Sequence, residues 1–534
     1  MANATPVDSP TDDSSAPASD RAAASAPDTG RRSFRFAAWL FLRLLALTHL
    51  IAFVSFWTQL EGLVGPHGLL PASRYFAAAR EQLGTAAFTR LPSLCWWFGT
   101  EGFLHGLCAA GVALSLLLFA GIAPAVCLAL LWAAYLSLNC AGQIFFNFQW
   151  DALLLETTLL AIFLAPWTLF PWWRRYEPPP VARWLLWWLL FRLMFFAGTV
   201  KLASGDPTWR DLSALTFHYE TQPLPTPLGW WAHQAPAWWH HAACAGMFVI
   251  ELLAPFFLFG PRELRHNATL LISALMVGIA LTGNYTFFNL LAIALCVLCF
   301  DDAWWHAVLA PATRRVCHPV APASSRPAPL AGWKPALLDD KPEIGPRWQR
   351  GAVWPIAVGI FVFTLMLALT GNVVRFRAPA AFHQVAERVA PFRSFNNYGL
   401  FAVMTHPRPE LIFEGSDDGR TWRAYEFPHK PGALSRRPTW VAPHQPRLDW
   451  QLWFAALGSV DQNEWVLVLC EHLLRGTPQV RALLAENPFP GNPPRYLRVV
   501  RYEYHFTDPP ARRRTGQWWR RSPMDLYIGQ VSLK

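Results

Sequence analysis

The residues best equipped for chemistry are acids and bases set inside apolar stretches. The segment FNFQWDALLLETTLLAIFLAPW (146–167) is long and apolar enough to cross a bilayer, yet it carries Asp151 and Glu156. A carboxylate in hydrocarbon costs roughly 2.5–3.5 kcal/mol on insertion scales, so each needs a partner or a function. The two stand five residues apart, about 140° around a helix of 3.6 residues per turn. They therefore do not form an acid/base pair on one face, whereas Gln149 and Glu156 share a face. Other apolar stretches hold Arg43, Arg192, Lys201 and Glu251. Charges of both signs in such segments pair inside a bundle. Glu251 and Arg43 read as structural. For Asp151, Glu156, Arg192 and Lys201 two readings stand side by side: a structural polar network that fixes helix register, or a site open to the extracytoplasmic side with Lys201 as a base near Asp151.

Two further stretches are rich in recognition chemistry. The segment KLASGDPTWRDLSALTFHYETQPLPTPLGWW (201–231) mixes charge, aromatics and proline more densely than a bare connector needs. Trp209, Arg210, Asp211, His218, Tyr219 and Glu220 are candidate contacts to a partner protein, with interface packing as the competing reading. One His beside one Glu is too few ligands to specify a metal. VAPHQPRLDWQLWFAAL (441–457) offers Arg447, Asp449 and Trp450, either as a docking surface, since Arg and Trp favour interface centres, or as a packed seam between loop and helix. SDDGRTW (416–422) reads as a hairpin turn rather than a sugar or calcium loop.

Nucleophile elbow, phosphate loop, dinucleotide fingerprint and HExxH zinc motif are all missing, which removes the motif-based reasons to propose an enzyme or a cofactor. The formal charge of +10 is scattered beside apolar segments, not gathered in a basic aromatic tract, so no nucleic-acid partner is expected. Of the nine cysteines only Cys470 falls in the C-terminal part, which excludes an internal disulfide there. Cys296 and Cys299 lie in an apolar helix candidate and read as core packing.

The elements that must position these residues are mostly transmembrane. Of 534 residues, 53% are hydrophobic, 15% charged and 29 are Trp, against about a quarter charged in soluble domains. Nine segments approach the ~20 residues of a span: 36–57, 103–120, 122–139, 146–168, 182–201, 243–260, 267–283, 285–300 and 352–373. Residues 71–90 are expected as an amphipathic helix outside the membrane core. Arg31, Arg32, Arg35, Arg174, Arg175, Arg262, Arg265 and the basic residues of 303–350 fall on one side of a nine-span arrangement, which the positive-inside rule makes cytoplasmic. The N-terminus is then cytoplasmic and the C-terminal part extracytoplasmic. The expected divisions are a disordered tail (1–33), a helical membrane domain (34–302), a Pro-rich, poorly ordered connector (303–350), a last span (351–374) and a soluble, mainly β domain (375–534). The tail lacks the apolar core of a cleaved signal, so the first span is expected to act as a signal-anchor. In this frame Asp151 lies near the outer interface, within reach of water. Glu156 lies about 7.5 Å deeper, at 1.5 Å per residue, and should face the bundle and pair with Arg192 or Lys201.

The chain resembles the lipase maturation factor family. The stretches that carry the likeness are FQWDALLLETTLLAIFLAP, FRLMFFAGTVKLASGDPTWRDLSALTFHYETQPLPTPLGWW, TGNYTFFNLLAIALCVLCFDD, NNYGLFAVMTHPRPELIFEGSDDGRTW and LSRRPTWVAPHQPRLDWQLWFAAL, in order over about 140–457. The resemblance implies a multi-pass membrane protein, in the endoplasmic reticulum for animal members and in the inner membrane if bacterial. It also implies a chaperone-like role in folding and assembly of secreted lipases, with membrane lipid and a lipase-like or other exported client as partners. The membrane part more distantly resembles vitamin K-dependent gamma-carboxylases. There a Lys at the end of a comparable span acts as base, and Lys201 in GTVKLASGDPTW is the matching position. FQWDALLLET holds no counterpart of that family's catalytic His.

Overall fold

The computed structural model describes residues 33–99, 102–172, 174–314, 347–371 and 377–533. Ten helices form the membrane part: α1 Arg35–Trp57, α2 Phe103–Ala120, α3 Pro124–Ala141, α4 Gln149–Leu164, α5 Pro180–Ala203, α6 Ala237–Leu252, α7 Arg262–Thr282, α8 Phe288–Val297, α9 Asp302–Arg314 and α10 Arg347–Gly371. Among the described residues seven helices are long and apolar enough to cross a membrane, or eight if the bent pair formed by α8 and α9 counts as one. The expected fourth and eighth spans differ from that length: α4 has 16 residues and α8 has 10. A 16-residue helix rises only about 24 Å, short of the ~30 Å hydrocarbon core. Most of the residues of α4 are buried inside the bundle. The apolar residues of α3, α4 and α5 are mostly interior, whereas α2, α6, α7 and α10 turn most of theirs outward. The described cysteines are all buried thiols.

The bundle has two distinct polar ends. At the start of α1, Asp302 accepts hydrogen bonds from the free N–H groups of Arg35, Phe36 and Ala37 at 2.9–3.3 Å, a carboxylate placed on the positive end of a helix. Arg35 pairs with Glu177 at 3.1 Å and Arg262 with Asp301 at 2.8 Å. At the other end α1 meets the C-terminal part, where Gln445 N–H donates to Ser55 at 2.7 Å and Gln59 donates to the Gln445 carbonyl at 2.8 Å.

Residues 1–32 of the expected tail and residues 315–346 of the expected connector lie outside the described residues. Residues 303–314, assigned to the poorly ordered connector by composition, are helical instead as part of α9, which turns through 105° from α8. Residues 72–83 form the amphipathic helix expected there.

The C-terminal part corrects the expectation of a mainly β domain. Its sheet has four antiparallel strands, β1 Pro409–Ser416, β2 Arg423–Ala424, β3 Tyr496–Phe506 and β4 Trp519–Val531, in the order β2-β1-β3-β4. The alternating segments RPELIFEGS and RYLRVVRYEYHF do form β1 and β3. The long runs between them are helices, α11 Arg447–Leu457 and α12 Trp465–Arg475, whose apolar faces pack on the sheet. SDDGRTW is the hairpin turn between β1 and β2: Asp418 accepts from the N–H groups of Arg420 and Thr421 at 2.8 and 2.7 Å, and Gly419 takes a left-handed φ of 71°.

Candidate functional site

The sequence of α4 puts Asp151 in its first turn, where the chain enters from the 142–148 loop. This is not the water-accessible position expected from its depth. Asp151 is fully buried because the C-terminal part reaches down to it. Arg447, in the first turn of α11, donates from Nη2 to Oδ1 at 3.0 Å and from Nη1 to Oδ2 at 3.1 Å, and neither side chain touches solvent. Tyr135 of α3 donates to Oδ1 at 2.5 Å. Arg447 also donates to the Phe145 carbonyl and stacks over the Phe146 ring at 3.6 Å. A bidentate guanidinium–carboxylate pair of this kind is rigid as well as strong. The ion pair therefore joins two residues 296 positions apart and fastens the C-terminal part to the bundle centre.

Glu156, a turn and a half deeper, faces the bundle. Arg192 of α5 donates to it, and its other oxygen accepts from Tyr398 Oη at 2.6 Å and from Asn396 N and Nδ2 at 3.2 and 3.1 Å. Arg192 spends another N–H on the Asn396 carbonyl at 2.9 Å. Lys201 takes neither acid of α4. Its Nζ donates to both oxygens of Glu251 on α6 at 2.8 and 2.7 Å. Lys201 and Asp151 thus belong to separate clusters. Arg43 rests over the Trp39 ring at 4.9 Å.

The segment 201–231 is threaded between bundle and sheet. Asp206 caps the turn Pro207–Arg210 by accepting from Thr208 N–H at 2.9 Å, and its second oxygen accepts from Met404 N–H at 2.6 Å. Burial pushes its carboxyl up, but these hydrogen bonds outweigh burial and hold it below the ordinary value. Trp209 is buried and donates to the Phe401 carbonyl at 3.1 Å. Glu220 is buried between His505, at 2.8 Å, and Phe506 N–H, at 2.6 Å. His218 lies 3.2 Å from the Tyr285 hydroxyl; burial first, and then the charge of Lys201, push its pKa down to about 4.

Five of the nine side chains expected to face a client are therefore internal: Trp209, Glu220, Arg447, Asp449 and Trp450. Asp449 accepts from His429 and Lys430 N–H, each at 2.8 Å, and Trp450 packs edge-on against Trp150 at 4.7 Å. Buried side chains offer no surface to a partner, so for these residues the packed-seam reading replaces the docking surface. Arg210 and Asp211 are exposed, and His218 and Tyr219 are half-buried.

Three seam residues carry no motif that singles them out in the sequence. Arg408, fully buried, donates to the carbonyls of Glu220, Gln222 and Pro223 and pairs with Glu410 at 2.8 Å. Asn284 donates to the Leu224 and Thr439 carbonyls at 3.1 and 2.8 Å and accepts from Val441 and Ala442 N–H at 2.8 and 3.0 Å. Asn396 is the third. Each stands in a short polar island, PRPE, TGNYT or SFNNYG, beside long apolar or aromatic runs, and that contrast is the one local signal they give. Among the described residues no group of three or more His, Cys, Asp or Glu side chains is arranged to hold a metal.

Comparison with known proteins fits this two-part construction. Residues 36–307 match the family model of the lipase maturation factor transmembrane domain, and residues 394–529 match that of the lipase maturation factor C-terminal domain. The chain is 36% identical to lipase maturation factor 2 of Homo sapiens, over 92% of this chain and 82% of that protein. It is 35% identical to lipase maturation factor 1 of Mus musculus, over 92% of this chain and 86% of that protein. No solved structure matches it. The segments that meet at the seam are those two matched regions, and the chain belongs to the lipase maturation factor family.

Proposed function

We propose that this chain is a membrane-embedded maturation factor that assists folding and assembly of secreted lipases or other exported clients, in the manner of a chaperone. The observation that carries the reading is the seam. Buried ties from Asp151, Glu156, Asp206 and Asn284 hold the C-terminal part as a rigid cap on one end of the helices. A cap so fixed keeps its outer surface at a set height above the bilayer, where a nascent client emerges. Client contact then falls to exposed groups, Arg210 and Asp211 with the accessible edges of His218 and Tyr219, and not to the buried ones.

The cap is assigned to the lumenal or periplasmic side and the N-terminus to the cytoplasm, with nine passes in all. Exposed aromatics at both ends support a membrane between them: Trp167, Phe170 and Trp172 beside the α1 start, and Trp231, Trp238 and Trp239 beside the cap. The compartment is the endoplasmic reticulum membrane, or the inner membrane in a bacterium. No observation favours the carboxylase-like reading through Lys201.

The test is secretion of active lipase from cells that lack their own maturation factors, with and without this chain. Restored activity that falls when Arg210 and Asp211 are replaced by Ala supports the proposal. No restoration of any co-expressed lipase by a correctly inserted chain rejects it for lipases. For the orientation, Arg210→Cys should label from outside with an impermeant thiol reagent and Ser325→Cys should not; the reverse pattern inverts the assignment.

A further inference from the structure

The helical turn Pro509–Thr515, PPARRRT, carries Arg512, Arg513 and Arg514 at its end. Arg513 and Arg514 are exposed and meet no carboxylate among the described residues. Asp508, the acid of this turn, is occupied in capping it, accepting from Ala511 N–H at 2.6 Å. Arg512 lies over the Trp518 ring at 3.7 Å and within 5.3 Å of the Trp230 ring, while Arg437 approaches Trp518 from another side at 5.5 Å. Two guanidinium groups thus rest on one aromatic base, and Arg513 and Arg514 stand exposed on the same turn as one of them.

That base stands at the end of the spans. Trp230 belongs to the turn Pro227–His233, which is stapled to the end of α7: Thr226 donates to the Leu281 carbonyl and Gln222 to the Thr282 carbonyl, both at 2.8 Å. The approach is so close that a Cβ at Gly229 would lie 2.5 Å from the Thr282 carbonyl oxygen. From the same place Trp231 is 54% exposed, and Trp238 and Trp239, in the first turn of α6, are 67% and 51% exposed. Indoles exposed at the ends of two spans sit at headgroup level. Arg512 is tied to this end through Trp230, whose ring lies 4.8 Å from that of Trp231.

We infer that the Pro509–Thr515 turn and Arg437 form a binding site for anionic phospholipid headgroups in the leaflet that faces the C-terminal part. Trp231, Trp238 and Trp239 take the glycerol and upper acyl region. The guanidinium groups bind phosphate in the bidentate manner that lysine cannot match, and the site selects lipid by headgroup charge. It does not depend on the client assignment above.

The test uses the full chain in nanodiscs of phosphatidylcholine doped with phosphatidylglycerol, reading which spin-labelled lipid the protein retains beside it. The wild type should prefer phosphatidylglycerol, and added salt should weaken the preference. Arg513→Gln with Arg514→Gln touches no packed contact and should lower the preference by roughly fivefold per arginine removed. Arg513→Glu with Arg514→Glu should abolish it. Equal selectivity in wild type and both variants overturns the inference. So does full competition by millimolar inorganic phosphate, which would mark a free-anion site. Unchanged lipid selectivity together with lost client secretion would overturn it in favour of an acidic client segment.

Discussion

The two ends of the helix bundle use the same chemistry to different effect. Around the start of α1, Arg35–Glu177 and Arg262–Asp301 keep at least one partner partly exposed. At the seam, Arg447–Asp151 and Arg192–Glu156 lie out of water and carry extra hydrogen bonds from Tyr135, Tyr398 and Asn396. Exposed pairs contribute little, about 0–1 kcal/mol. A buried pair need not stabilise more than an apolar replacement would, but removing one partner strands a charge, at roughly 3–5 kcal/mol. Those two pairs at the first end can therefore tolerate change, while the seam makes the placement of the cap close to all-or-none.

The largest expected effect follows from breaking that contrast. Arg447→Ala should destabilise the protein by about 3–5 kcal/mol and open the cap to limited proteolysis. Adding Asp151→Leu should recover much of the loss, because the stranded charge goes with it. If Arg447→Ala lost no more than Arg35→Gln, the distinction between the ends would fail. Next in size is Asn284→Ala, which leaves the N–H groups of Val441 and Ala442 without their acceptor. A buried unsatisfied donor costs about 1–3 kcal/mol, and thermal unfolding in detergent should fall accordingly, with proteolysis first reaching the 439–442 loop.

A pH titration sharpens the comparison further. His444 lies 3.0 Å from the Ser55 hydroxyl at the seam; burial, then His429 and Arg447, push its pKa down to about 4. His218 is lowered to a similar value. Unfolded imidazole titrates near 6.5, so between about 6.5 and 4 the unfolded chain binds protons that the folded seam refuses. Stability is full above 6.5 and declines as pH falls through that window. His444→Gln should flatten part of the decline in a melting-temperature profile, and an unchanged profile would remove His444 from the account. The smallest effect belongs to Arg35→Gln, expected at about 0–1 kcal/mol and weakened further by salt, measured in the same melting assay.

Local pattern governs the parts of the molecule that are legible in the chain. Apolar length locates the membrane helices within a few residues, and alternation locates β1 and β3. Asp-Asp-Gly locates the turn between β1 and β2. The five-residue offset of Asp151 and Glu156 separates them into different clusters by helical geometry alone. Pairings across long separations are not legible in the same way. Asp151 looks like an interfacial carboxylate when depth is counted along one helix, and nothing local announces that Arg447, 296 residues on, descends to meet it. For the same reason Trp209, Glu220, Asp449 and Trp450 look like partner-facing groups: aromatic and charged residues in loops mark an interface, but not whether it lies within the chain or outside it.

The sequence by itself determined that this is a helical membrane protein, because hydrophobic length acts segment by segment. It also determined the family, through motifs that keep their order along most of the chain. Only the tertiary structure decided what those motifs do. GDPTW, TGNYT, NNYG and PHQPRLDW converge on one buried seam, where Asp206, Asn284, Asn396 and Arg447 satisfy backbone groups and carboxylates that no local partner could reach. The physical reason is that burial is a property of the assembled chain: a charge inside a bundle must find its counterpart wherever the fold brings one, whatever the distance in sequence.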